Sequence, residues 1–138
     1  MVSAQCSADE AFEVYKLNLL PYVKSDLNYL RLSSVDGAKS YRDNRLIQSP
    51  EFGSVEFSGR ISILHVDGNH SYELAKADVD AWAGLVEKNG WIIIDDYIWP
   101  FGDGPKRVGD EFKFINANKI ATSFVMGSAL CIQISDRL

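Results

Sequence analysis

Three carboxylates and an imidazole stand where two apolar runs stop. Ile61 to Tyr72 reads ISILHVDGNHSY and Trp91 to Tyr97 reads WIIIDDY, so that Asp67, His70, Asp95 and Asp96 each follow a stretch rich in Ile, Val and Leu. Short apolar runs bounded by turn residues suit strands of a parallel sheet covered on both faces. Two such neighbours would bring their acidic ends to one edge of the sheet, which is where open α/β sheets bind ligands. Carboxylates held close together repel one another unless a cation neutralises them. The competing reading is local: an Asp-Gly pair makes a turn, and Asp95-Asp96 can cap whatever follows.

The elements that must position these groups are legible in part. Between the two runs, Ser71 can cap a helix whose buried side carries Leu74, Ala75, Val79, Trp82, Leu85 and Val86, with Gly90 as the left-handed residue that ends it. Upstream, Ser7-Ala8-Asp9-Glu10 resembles a capping box, and the helix it opens shows Ala11, Phe12, Tyr15 and Leu19 on one face before stopping near Pro21. Leu27 to Leu32 alternates like a strand. Ser33 or Ser34 can cap a second helix through Arg45, and Gln48 to Gly59 reads as an irregular loop with a short extended piece at Ser54 to Phe57. Downstream, Tyr97 to Gly104 is an aromatic loop, and Pro105 opens a helix with a stripe of Val108, Phe112 and Ile115. Two strands, Lys119 to Met126 and Ala129 to Ser135, close into a hairpin at Gly127-Ser128. The order αβαβαβαββ predicts one α/β domain over residues 1–138, a three-layer sandwich. Its sheet is mostly parallel, of about five strands, with a carboxyl-terminal antiparallel hairpin.

Composition narrows the function. With 138 residues, a net charge of −5 and 46% hydrophobic residues, the chain can bury a core but lacks the basic face that nucleic-acid binding requires. Cys6 and Cys131 lack the close pairing of a zinc site or disulfide framework, and Cys131 reads as a small buried hydrophobe. No run approaches the roughly 18 apolar residues of a membrane span. A cytoplasmic protein is the expectation.

The segments HVDGNHSYELAKADVDAW, GWIIIDDY and GPKRVGDEF resemble the carboxyl-terminal half of Rossmann-like S-adenosylmethionine (SAM) dependent methyltransferases, and in particular the macrocin-type sugar O-methyltransferases. The resemblance runs from about Ala8 to about Ile115. It implies methyl transfer to a sugar or small-molecule hydroxyl at a Mg²⁺ ion held by Asp67, Asp95 and Asp96. A metal there would lower the pKa of the acceptor hydroxyl and orient it. Tyr97, Trp99 and Phe101 are then candidate substrate contacts, because aromatic rings above a metal suit a sugar ring; Trp99 and Phe101, with Phe52 and Phe57, are equally placed to cover exposed apolar surface. The family commonly has a second aspartate two positions after its first metal ligand, a candidate general base. Here that position is Asn69, whose amide cannot take the proton, and His70 is the substitute if its ring faces the crevice. His65, inside the strand, reads as a satisfied core residue.

One departure bears on the methyl donor. The glycine-rich loop and the ribose-binding acid that hold SAM in the family have no counterpart before Ile61, and Gly102-Asp103-Gly104 lies after the wrong strand for that task. The chain therefore resembles a truncated methyltransferase without its first strand-helix-strand unit, the alternative reading being a non-catalytic oligomeric binding module that has lost the donor site, and the open edges so created predict a homodimer. For the isolated chain, titration calorimetry should find SAM binding weaker than the low micromolar range, that is, less favourable than about −8 kcal/mol. A tighter constant would show that other residues form the donor site.

Overall fold

The computed structural model describes residues 7–24 and 26–138; Cys6 lies outside them. Its sheet is built around one strand. β1 (Leu46–Ser49) and β2 (Gly53–Glu56) form a separate two-stranded hairpin, whereas β3 (Ile61–Val66), β4 (Val86–Ile94), β5 (Ile120–Met126) and β6 (Ala129–Ile134) make a four-stranded sheet in the order β3-β4-β6-β5. Only β3 and β4 run parallel; β4-β6 and β5-β6 are antiparallel. The sheet is thus mixed and mostly antiparallel, not the mostly parallel sheet of about five strands expected. Leu27 to Leu32 supplies no strand. The Asn28 side-chain amide donates to the carbonyls of Ile47 and Gly53 and ties the segment to the hairpin instead.

Capping residues set the helices much as their chemistry requires. α1 (Ala8–Leu19) opens with a full capping box, Ser7 and Glu10 each binding the other's backbone N–H. Ser33 caps α2 (Ser34–Asp43), and Ser71 caps α3 (Tyr72–Trp82). α4 (Gly104–Ile115) carries Pro105 in its first turn, where the missing N–H costs nothing. α3 ends earlier than its apolar spacing suggests. Leu85 belongs to a 3₁₀ turn and Val86 already begins β4, because Val86 pairs with Ile61 across the parallel ladder. The next pairing is Ile63 with Trp91, so β4 loops out between them; Asn89, not Gly90, takes the left-handed conformation, with φ 67°. Gly90 is needed for another reason. A Cβ there would lie 3.0 Å from the Ser62 carbonyl oxygen and 2.9 Å from that of Glu87.

The core lies on one side of the sheet. Leu64, Val66, Ile92, Ile94, Leu130, Ile132 and Ile134 point to that side and meet Ala75 and Val79 of α3 and Val108 and Phe112 of α4. α2 stacks on α3, where the Trp82 indole N–H donates to Ser34. The opposite face carries Ile63, Trp91, Ile93, Phe124 and Met126, and among the described residues no element crosses it. The fold is therefore two-layered on the sheet, not a three-layer sandwich. Cys131 is nonetheless buried at the centre of the open face, screened by its larger neighbours. No described helix is long and apolar enough to cross a membrane.

α1 buries none of its residues. Phe12 alone of its predicted stripe meets an aromatic partner outside the helix, packing edge-on against Tyr29, which in turn packs edge-on against Phe52 of the hairpin turn. Lys16 bridges α1 to Glu51 at 2.7 Å, and this ammonium together with the Tyr29 hydroxyl holds the Glu51 carboxyl down at about 2. Phe52 is thereby committed to this cluster and Phe57 to Tyr41 on α2, so neither covers the open sheet face.

Fully buried β-branched residues leave cavities when truncated. Ile132→Ala, at a position 0% exposed, should cost about 2–5 kcal/mol in urea unfolding, whereas Ile98→Ala, 58% exposed, should change stability by less than about 1 kcal/mol.

Candidate functional site

The acidic residues reach the carboxyl ends of β3 and β4 because the two strands run side by side in register. His65 pairs with Ile93 and Val66 with Ile94, and the Asp95 N–H donates to the Val66 carbonyl at 3.0 Å. Asp67 and Asp95 therefore leave the sheet at the same level. Asp96 follows in the left-handed conformation, φ 49°, a region that aspartate tolerates better than most residues. That turn separates the two consecutive carboxylates. The three aspartates consequently do not form a single set of ligand atoms among the described residues. Instead, Asp67 is shared between two sets, His65 with Asp67 and Asp95, and Asp67 with His70 and Asp96, each with its ligand atoms within 4.8 Å of one another.

Both histidines are placed by their neighbours. His70 Nε2 lies 3.0 Å from Asp96 Oδ2, and its ring packs edge-on against Trp99 with centroids 4.3 Å apart. His65 Nε2 lies 3.7 Å from Asp95 Oδ2. The expectation that His65 is a core residue fails because it sits on the uncovered face, with half of its side chain exposed. Alternation along β3 was the available signal: Leu64 and Val66 point into the core, so His65 must point away. Asn69 is occupied otherwise. Its side-chain oxygen accepts from the Ser71 N–H at 2.8 Å and shapes the turn that starts α3. No Lys or Arg among the described residues pairs with Asp67, Asp95 or Asp96. The negative charge at the strand ends thus has only the two imidazoles beside it.

A crevice of about 490 Å³ opens next to His70, lined by Asn69, Tyr72, Trp99, Phe101, Arg107 and the Gly102–Gly104 segment. Trp99 and Phe101 pack edge-on at 5.4 Å to form one wall, and Phe101 is 80% exposed. The Arg107 guanidinium lies 4.1 Å from the centre of the Tyr72 ring on the other wall. Trp99 and Phe101, two of the candidate substrate contacts, line this crevice. Tyr97 does not. Its ring is buried under α4, its hydroxyl donates to Asp110 at 2.7 Å, and Lys106 beside Asp110 is the main reason that this carboxyl stays well below the usual range. Tyr97 anchors α4 to the sheet and does not line the crevice. Arg107 is the crevice residue that sequence reasoning passed over, since Lys106-Arg107 resembles an ordinary solvated helix start.

A second crevice, of about 360 Å³, runs along the outer edge of β3 and includes Ser34, His65, Asp67, Gly68, Asp78 and Trp82. Asp67 therefore lines the β3-edge crevice, and His70, with which it shares a ligand set, lines the aromatic one.

The mixed α/β fold is compatible with a methyltransferase-type domain. A family model described as a methyltransferase domain matches residues 11–97, more than half of the chain, and the protein belongs to that family. No curated protein matches it.

The close approach of α4 to the loop before α3 shapes the aromatic crevice and depends on Gly104. A Cβ at that position would fall 2.1 Å from the His70 carbonyl oxygen and 2.8 Å from the Tyr72 nitrogen. Gly104→Ala should therefore destabilise the fold by about 1–3 kcal/mol in chemical denaturation. Gly84→Ala, which meets nothing within 4 Å, should be neutral or stabilising by up to about 1 kcal/mol.

Proposed function

We propose that this methyltransferase-family chain serves SAM-dependent O-methylation, with Asp67 at the centre of a divalent-cation site and the aromatic crevice receiving a sugar or another small hydroxylated acceptor. The observation that carries the reading is the position of Asp67. It belongs to both ligand sets and borders the β3-edge crevice, while His70, its partner in one set, lines the aromatic crevice. Carboxylates with no lysine or arginine partner fit a cation, since otherwise their charges stand close together with little compensation. Asp67 with Asp95 and His65, or with Asp96 and His70, would hold the ion. When bound, such an ion supplies Lewis-acid polarisation of the acceptor oxygen. An imidazole in each set favours Mn²⁺ over Mg²⁺, because nitrogen ligands suit the transition metal better than the harder ion.

The residues of the chain then divide the remaining work. Trp99 and Phe101 offer ring faces to the apolar side of a sugar, and Arg107 offers hydrogen-bond donors to its hydroxyls. With the ion in the set of Asp67, Asp95 and His65, His70 beside Asp96 is left free to accept the acceptor's proton in the role that Asn69 cannot fill. Family membership points to SAM as the donor, approaching from the β3 edge.

A thermal-shift titration tests the centre of this proposal. Mn²⁺ should raise the melting temperature by mass action, and more than Mg²⁺ does at equal concentration. Asp67→Asn should remove the rise for both ions, since Asp67 is common to both sets. Asp95→Asn and Asp96→Asn then tell which set is filled. Equal shifts in the wild type and in Asp67→Asn would mean that the carboxylates are structural.

A further inference from the structure

We infer that a cavity at the amino-terminal ends of β3 and β4 is an anion site, in which Arg45, Arg60 and Arg137 bind a phosphate group carried by a small soluble molecule. The cavity holds about 240 Å³, and Gly59, Gly84 and Glu87 line it together with the three arginines. Three separate segments deliver the guanidinium groups. Arg45 lies between α2 and β1, Arg60 immediately precedes β3, and Arg137 follows β6. They meet because Ile61 pairs with Val86 where β3 and β4 begin, and the antiparallel β6 finishes at that same end of the sheet. Asp67, Asp95 and Asp96 stand at the opposite ends of the same two strands. The six residues of β3 intervene, roughly 20 Å of extended chain, so this cavity is distinct from both crevices at the strand ends.

The state of the arginines selects the ligand. The chain has six arginines, and three of them are engaged by protein groups: Arg31 pairs with Asp9, Arg42 donates to the Ala81 carbonyl, and Arg107 stacks on Tyr72. Arg45, Arg60 and Arg137 form no ion pair among the described residues, and all three line this one cavity. On a chain of net charge −5, such a grouping reverses the local sign of the surface. Glu87 is the carboxylate of the lining, and the Ser62 hydroxyl donates to it. Three guanidinium groups against one carboxylate leave an excess of two positive charges, which matches the about −1.5 to −2 of a phosphate monoester at neutral pH. Guanidinium forks also fit phosphate oxygens two at a time. Arg45 is held in place beforehand. A Cβ at Gly59, where φ is 77°, would lie 2.5 Å from Arg45 Nε and 2.8 Å from its Cζ, so the guanidinium rests along the glycine backbone and loses less freedom on binding. Size sets the other limit. The cavity is smaller than the about 300–1,000 Å³ of sites for drug-sized ligands, which suits a phosphate with a small body attached and not an extended polyanion.

Titration calorimetry of the whole chain with inorganic phosphate, in phosphate-free buffer at fixed ionic strength, tests the inference. One phosphate should bind per chain with a dissociation constant of about 1 mM or tighter. Arg45→Gln, Arg60→Gln and Arg137→Gln should each weaken binding at least about fivefold, because all three reach the same anion. Arg31→Gln removes a positive charge outside the cavity and should change binding by less than about twofold, since exposed charges at a distance are screened. Absence of saturable binding up to about ten times that concentration, or a loss through Arg31→Gln as large as through the other three, overturns the proposal. The three cavity arginines are exposed, so their variants should keep the cooperative melting of the wild type. Should one fail to fold, nuclear magnetic resonance on the wild type decides the matter: phosphate should move the backbone amide signals of Gly59, Arg60, Gly84 and Glu87, and shifts confined to residues outside the cavity overturn the proposal equally.

Discussion

Everything at the candidate site hangs on the burial of β4. Ile92 and Ile94 are 0% and 1% exposed, held between β3 and β6 in the sheet plane and beneath α3 and α4 above it. Removing such side chains from water is worth roughly 1.5–3 kcal/mol each. Because side chains alternate along a strand, burying Ile92 and Ile94 fixes the register and leaves no freedom in where the chain emerges. Asp95 and Asp96 are thereby delivered beside Asp67 with the backbone bond from Asp95 to Val66 as the last rung. The apolar core thus specifies a polar site that it does not contain.

The site concentrates unlike chemistry within a few residues of the strand ends. Negative charge without lysine or arginine partners is gathered at Asp67, Asp95 and Asp96, and both imidazoles lie against it. Cationic side chains are used elsewhere: Lys76 and Lys106 support α3 and α4 through Asp80, Glu111 and Asp110, and Lys16 fastens α1 to the hairpin. That division keeps the strand ends electrically uncompensated. It also leaves the crevice wall to Trp99 and Phe101, whose rings are held by His70 and by each other.

The sheet is asymmetric in what it buries. Among the described residues, one face is covered by α3 and α4, the other shows Ile63, Phe124 and Met126 to solvent, and both edge strands, β3 and β5, have an unpaired side. The same asymmetry accounts for the exposure of His65, whose position on β3 would be buried beneath a second helical layer.

Much of this was legible in the residues themselves. The caps at Ser7, Ser33 and Ser71, the proline at the start of α4, the Gly127-Ser128 hairpin and the acidic ends of two apolar strands each rest on local chemistry, which a linear sequence states directly. Tertiary structure decided what depends on distant partners. Leu27 to Leu32 alternates like a strand but is claimed by Asn28 for the hairpin, and Val86 looks helical but is taken by Ile61 into the sheet. Tyr97, next to two acidic residues, turns under α4 toward Asp110 and away from the crevice. The grouping of the aspartates was likewise beyond reach, because it turns on the left-handed backbone of Asp96 and on which face of β3 is covered. Pairing and burial are settled between segments far apart in the chain, and no pattern within one segment records them.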